Sequence, residues 1–420
     1  MIKLLIIIQS FKPYSGAINR LVDNLIKTNC FKSRIYTEIL TLKYSIEDLE
    51  HDIIDGIHVF RIPNEIDYPA GSLIKKIYKI ESIVGLIRKI NKRFFFRKRK
   101  SFDSRISIRV CSFLKKHYGK YDVIMPITGK REIAYGCYLY SKTINNNSIV
   151  FYQVDPISTN MTFDDSERAS NSLLEDKLYS TFAYTFTTSI IFDEVKKRHN
   201  KEYRIESIGF PSIVFTNQDN TVPQEDELFN TDKSIIKCVY IGSLYNTIRS
   251  PQYTIDLFSH LKTKDIYLLL YGNSPHIISQ LYQKVSDCDQ IIVRGKIPLE
   301  ESIRIQNSAD FLVNIGNVCT NMVPSKIFEY IGMGKPIINI YKSRNCPTIQ
   351  TLKNYPCCIN LFEEDSMLLD QVNSLREFIY NNKGKSVSRD VISYFYHDFL
   401  PETVAEVFYN KYISICNKHI

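Results

Sequence analysis

The sequence predicts an α/β protein built of two Rossmann-like domains facing each other across a cleft. Three observations carry that prediction. Strand-like apolar runs alternate with amphipathic, helix-length stretches almost from end to end, the pattern of parallel sheets covered by helices. A chain of 420 residues exceeds what one hydrophobic core usually supports, so two domains of roughly 200 residues each are expected. Residues 211–233, PSIVFTNQDNTVPQEDELFNTDK, break the alternation with polar and turn-forming residues and read as the linker.

The opening MIKLLIIIQS has one lysine and an apolar run of five residues. That run is too short for the core of a signal peptide and lacks a small-residue cleavage site, so it reads as a first strand near 2–8. Further strands are expected near 35–42, 57–62, 121–127, 148–154, 183–188 and 203–208, with helices between most of them, making 1–210 the N-terminal domain. After the linker, IIKCVYIG, DIYLLLYG, QIIVRG, DFLVNIG, KPIINIY and PCCINLF are each followed by a helix-length segment. These units predict a doubly wound parallel sheet over 234–395. The tail from 385 to 420 reads as one or two amphipathic helices with Pro401 at a helix start, and 396–420 is expected to pack back on the N-terminal domain. Open α/β sheets bind ligands at the carboxyl ends of their strands, which places the expected site in the cleft.

Hydrophobic residues make up 44% and charged residues 24% of the chain, an ordinary globular composition that excludes disordered and fibrous classes. Nowhere do 18 apolar residues run together without charge, so no helix is expected to span a membrane. The ten cysteines include no CxxC pair and no close histidine partners, which argues for a reducing cytoplasm and against a disulfide framework or a zinc site. No GxGxxG occurs, so a dinucleotide cofactor is not indicated and no cofactor is expected. Asp287 and Asp289 have DxD spacing but fall in a polar helix–strand loop away from the carboxyl ends, so no metal is expected there.

The formal charge of +9 is uneven: 34 Lys/Arg stand against 23 Asp/Glu in residues 1–210, and 20 against 22 in residues 211–420. Residues 85–109, GLIRKINKRFFFRKRKSFDSRISIR, hold ten Lys/Arg and one Asp around Phe94, Phe95 and Phe96. Basic charge interleaved with aromatics suits an anionic membrane surface, at about 1 kcal/mol per cation near the headgroups. A solvated basic loop is the plainer reading. No nucleic-acid motif accompanies the patch, so nucleic acid is not an expected partner.

The stretch NMVPSKIFEYIGMGKPIINIY, 321–341, concentrates the strongest local signals. DFLVNIG ends a strand at Gly316, and Pro324 suits the first turn of the following helix because its missing N–H matters little there. Ser325 and Lys326 follow. The first-turn N–H groups and the helix dipole favour an anion, and Lys326 adds a full charge. Lysine is otherwise slightly unfavourable at a helix start, so Lys326 is the leading phosphate ligand. Glu329, four residues after Ser325, lies on nearly the same helix face, and a carboxylate can accept two hydrogen bonds from a vicinal diol such as ribose. Gly334 suits the residue that ends the helix, and Pro336 prevents its continuation.

The segment VPSKIFEYIGMGKPII, preceded by PLEESIRIQNSADFLVNIGN, resembles the donor-binding core of retaining family 4 (group 1) glycosyltransferases of the GT-B fold. The likeness covers 235–345 most closely. It implies transfer of a sugar from a nucleotide-sugar, a UDP-sugar foremost, to a glycan or polyprenyl-diphosphate-linked acceptor with retained configuration and no obligatory metal. The setting it implies is cell-surface polysaccharide assembly in bacteria, in the cytoplasm and peripherally on the inner face of the membrane. The family's Glu-x7-Glu pair falls on Asn321 and Glu329; Glu329 matches the ribose-binding glutamate, whereas Asn321 departs from the usual carboxylate near the donor sugar. The family's diphosphate clamp falls in IGSLYNTIRSPQ: after Gly242, Ser243 stands where an arginine is usual, and Arg249 about where a lysine is usual. Lys326 would compensate for the missing cation. Alternatively Arg249 is a surface residue beside the helix that starts at Pro251.

In the first domain, Gly16 follows strand 1 in QSFKPYSGAINR and offers a backbone that a ligand can approach, or an ordinary strand–helix turn. The resemblance would have it close over the diphosphate. Asp155 ends a buried strand in IVFYQVDPIS, where it suits orienting an acceptor hydroxyl or acting as base; a turn-forming carboxylate before Pro156 is an equal reading. Thr128, Lys130 and Arg131, after another strand, are candidate acceptor contacts. Catalytic work is thus expected of Asp155, Lys326 and Arg249, and donor binding of Gly16, Gly242, Ser243, Arg249, Asn321, Pro324, Ser325, Lys326 and Glu329. Two other readings compete: a sugar-nucleotide epimerase of the same architecture, and a catalytically silent sugar-binding or partner-binding subunit suggested by Asn321 and Ser243.

Overall fold

The computed structural model describes residues 1–14, 16–64, 102–144, 148–160, 163–198, 201–215, 234–244, 249–272, 275–285, 288–318 and 323–417. The described chain forms two compact units: Met1–Pro211 together with Pro401–Ile420, and Ser212–Leu400. Most of the expected linker and the basic segment up to residue 101 lie outside the described residues, as do Asn321 and Asp287.

In the first unit, β1 (Ile2–Ile7), β2 (Ile35–Leu42), β4 (Ile57–Ile62) and β5 (Val123–Pro126) are parallel, and β3 (His51–Ile54) pairs antiparallel with β4 at the sheet edge. A second set, β6 (Val150–Gln153), β7 (Tyr184–Thr187) and β8 (Ile205–Ser207), is also parallel. Bridges from Ile124 to Ile149 and from Ile127 to Tyr152 join the sets in the order β3-β4-β2-β1-β5-β6-β7-β8. The apolar run of β1 serves both faces: Leu4, Ile6 and Ile8 enter one core and Leu5 and Ile7 the other. Alternation with period two makes a continuously apolar strand necessary wherever helices cover both sides.

Edge strand β3 was not expected from the sequence. Its alternation is short, but Asp55 and Gly56, which join it to β4, both have positive φ, 51° and 79°. That is the Asp-Gly hairpin geometry that matches the twist of paired strands.

The C-terminal helix Pro401–Cys416 begins at the predicted proline and belongs to the first unit. Val404, Ala405, Phe408, Tyr412 and Ile415 enter its core. Phe408 is fully buried and packs edge-on against Tyr152 and Phe186, with ring centroids 5.1 and 4.8 Å away. Glu402 accepts the N–H groups of Asn29 and Cys30 at 3.1 Å each, capping the short helix Asn29–Arg34. Phe408→Ala removes a buried aromatic from a packed site, so denaturant unfolding of this unit should show a loss of about 3–5 kcal/mol.

The second unit is one parallel sheet in the order β11-β10-β9-β12-β13-β14, with β9 (Ile236–Gly242), β10 (Ile266–Gly272), β11 (Ile291–Arg294), β12 (Phe311–Ile315), β13 (Ile337–Tyr341) and β14 (Cys358–Phe362). All six predicted strands are present. The chain winds outward from β9 to β11, then returns to β12 on the other side of β9. The connections therefore depart in opposite directions at β9 and β12, the topological switch point where such sheets bind ligands. Asn314, Asn339 and Asn360 stand in register on β12, β13 and β14 and join through amide hydrogen bonds of 2.7 Å each. The ladder satisfies Asn314 and Asn339, which are nearly inaccessible. Among the described residues no helix is long and apolar enough to cross a membrane.

Candidate functional site

The site in the second unit is built from the carboxyl ends of β9 and β12 and the helix Lys326–Met333. Strand β9 ends at Gly242, and Ser243 directs its carbonyl to the Tyr240 hydroxyl at 3.0 Å and toward Nη1 of Arg249 at 3.5 Å. The Nε of Arg249 donates at 2.8 Å to Oδ1 of Asn317, two residues beyond the end of β12. Arg249 is thus half-buried and tied across the switch point, rather than a solvated residue beside the cap of the next helix.

The helix runs Lys326–Met333, so Pro324, expected in its first turn, lies just ahead of it. Ser325 is its N-cap, in helical geometry and without a side-chain cap bond, and Pro324 precedes it. The carbonyls of Pro324 and Ser325 accept from Ile327 at 3.1 Å and Phe328 at 3.2 Å. Those two first-turn amides are therefore turned inward, and the attraction for an anion falls to the amides before them and to the Lys326 ammonium. Lys326 Nζ stands 3.6 Å from Glu329 Oε2, both side chains being about a fifth exposed. Gly334 ends the helix with φ 69°, and a Cβ there would meet the Val387 carbonyl oxygen at 2.5 Å. Only glycine suits both constraints.

Tyr330 lies on the buried face of this helix. It is fully buried, and burial pushes the ionisation of its phenol up. Sequence reading missed Asn317, Tyr240 and Tyr330. Asn317 had a signal, being a polar residue just past a buried strand's carboxyl end; the two tyrosines read as core.

In the first unit, Gly16 is the N-cap of the helix Ala17–Ile26, with extended φ of −179° and nothing within 4 Å of an added Cβ. Its conformation does not require glycine; the open space is what distinguishes the position. Asp155 follows β6. Protein packs round it while part of its surface stays open, and burial pushes its carboxyl up to about 6. The loop it begins is fixed by the buried Glu175 carboxylate, which accepts from the N–H groups of Ile157 at 3.3 Å and Ser158 at 3.2 Å, Gln153 Nε2 at 2.9 Å and Arg198 Nη1 at 3.1 Å.

Two of the acceptor candidates are corrected. Thr128 is buried with its hydroxyl donated to the Tyr152 carbonyl at 3.3 Å. Arg131 is buried, bonded to Asn171, 3.6 Å from Glu167 and stacked over Phe163. Both hold the fold together, since a buried guanidinium must be paired. Lys130 remains partly exposed. Asp289 is exposed in the loop before β11, at the amino end of that strand.

No family model and no curated protein matches the sequence. Solved structures match in fold. Sucrose-phosphate synthase from Thermosynechococcus elongatus is 12% identical with a TM-score of 0.64 over 99% of this chain and 99% of that one. Anabaena HepE in complex with UDP and glucose is also 12% identical at a TM-score of 0.64, over 99% of this chain and 100% of that one. The fold is that of the GT-B glycosyltransferases. A protein from Listeria monocytogenes named as a candidate UDP-N-acetylglucosamine 2-epimerase is 10% identical at a TM-score of 0.56, over 96% of this chain and 94% of that one. At such identities the likeness speaks for fold, and activity has to be argued from the site.

Proposed function

We propose that this chain is a glycosyltransferase that moves a sugar from a nucleoside diphosphate sugar, a UDP-sugar foremost, to a glycan or lipid-linked acceptor with retention of configuration. The observation that carries the reading is Arg249 held across the β9/β12 switch point by Asn317, on the unit whose helix starts with Lys326. In this reading the diphosphate lies against Arg249, Lys326 and the start of the helix, and Glu329 takes the ribose hydroxyls. The leaving diphosphate gains negative charge as the glycosidic bond breaks. Fixed cations at that spot then stabilise the transition state more than the ground state.

Gly242, Ser243, Pro324 and Ser325 shape the backbone of this donor site, and Asn321 would meet the donor sugar. Asp155 is the candidate for orienting the acceptor hydroxyl or taking its proton. A role in surface-polysaccharide assembly and docking of 85–109 on anionic lipid belong to the same proposal; sedimentation with anionic but not neutral vesicles tests the docking. An epimerase draws support from the Listeria likeness and from the raised Asp155 carboxyl, which suits proton transfer.

Incubating the full-length chain with UDP-glucose, UDP-N-acetylglucosamine and GDP-mannose decides between these readings. Release of UDP or GDP with formation of free sugar or a glycoside supports transfer. An epimeric nucleotide-sugar identifies an epimerase. A protein that neither binds nor turns over any of the three is not a transferase acting on these donors.

A further inference from the structure

We infer that Asn317 is a positioning residue of the donor site, fixing Arg249 for an anionic ligand without neutralising it; this rests on the donor-site reading above. Three observations support it. A guanidinium has only donors, so the contact to Arg249 must be made by the amide oxygen of Asn317, and at 2.8 Å it is a good hydrogen bond. Binding through Nε orients the planar group while leaving the Nη1/Nη2 edge, the one that grips phosphate oxygens in pairs. That edge is engaged only by the long 3.5 Å approach of Nη1 to the Ser243 carbonyl among the described residues.

The chemistry of the holder matters as much as its place. The ordinary partner for a half-buried arginine is a carboxylate, which would hold the group equally well and cancel its charge. An amide holds it and leaves the full positive charge available. Asn317 leaves β12 while Arg249 follows β9, so the bond also spans the two strands whose connections part at the switch point. A side chain as long as arginine would otherwise lose rotamer entropy when the ligand orders it.

The test is isothermal titration of full-length protein with UDP, and with GDP where UDP gives no heat, for wild type, N317A, N317D, R249A and N317A/R249A. The expected result is at least fivefold weaker binding for N317A, for N317D, which keeps the acceptor but adds a negative charge, and for R249A. In the R249A background N317A should change binding less than twofold, because its effect runs through the arginine. All variants should keep the wild-type unfolding midpoint within a few degrees. Wild-type-like binding by N317A or N317D beside a weakened R249A overturns the inference and spares the donor-site reading. So does an N317A effect that persists undiminished in R249A. Undiminished binding by R249A, or a wild type that binds neither nucleotide, overturns both.

Discussion

Lys326→Ala is expected to lower turnover of a nucleotide-sugar donor at least tenfold while leaving the unfolding midpoint unchanged. Tenfold corresponds to about 1.4 kcal/mol of transition-state stabilisation, a modest demand on a cation beside a departing diphosphate. The fold should not notice. Lys326 makes its ion pair with Glu329 at 3.6 Å near the surface, and pairs of that kind contribute about 0–1 kcal/mol.

The loss should exceed that of a single missing charge. Without the ammonium, the Glu329 carboxylate loses that cation beside an anionic ligand, so the variant weakens an attraction and leaves a nearby negative charge less balanced. Lys326→Arg keeps the charge and should retain more activity than Lys326→Ala. Donor turnover followed by nucleotide release, with thermal unfolding in parallel, checks all of this. Near-normal turnover by Lys326→Ala would remove the diphosphate assignment at this residue.

The strands of the second unit were legible because a sheet covered on both faces requires continuously apolar strands, and each predicted run became one. The helix at 326–333 was legible because proline and lysine stand close to its start and glycine at its end. Strand β3 was legible in principle, since Asp55-Gly56 is a hairpin signal, but four residues of weak alternation gave it no support. What no local rule could show is the meeting of Arg249 with Asn317, 68 residues apart in sequence. The same holds for Arg131, whose charge suggested a ligand contact until Asn171, Glu167 and Phe163 were seen around it. Charged residues at strand ends serve ligands or neighbours alike, and only the tertiary partners distinguish the two.

Asp155→Asn is expected to do two opposite things: raise stability above neutral pH and lower turnover about a hundredfold or more. Burial pushes this carboxyl up to about 6 in the folded chain, whereas an unfolded aspartate titrates near 3.9. Between those values the folded state keeps a proton that the unfolded state has released, so stability falls as pH rises through the window. Above pH 6 both states are ionised and the penalty, at most about 3 kcal/mol for a shift of about two units, is complete. An amide of the same shape carries no such penalty. The variant should therefore unfold at a higher temperature than wild type at pH 8, with the difference vanishing below about pH 4. With Asp155 as the proposed base, activity should follow the same ionisation. A carboxylate with its pKa near 6 is ionised at neutral pH yet a better base than an ordinary one, so wild-type turnover should rise through about pH 6 and the variant should lack that rise. General-base groups of this type contribute about 10²–10⁴ in rate, which sets the size of the loss. If Asp155 is only a turn former before Pro156, asparagine serves equally well there, and turnover with its pH profile would be kept. A gain in stability joined to a loss of rate is what a residue retained for chemistry produces, because its buried charge weakens the fold it belongs to.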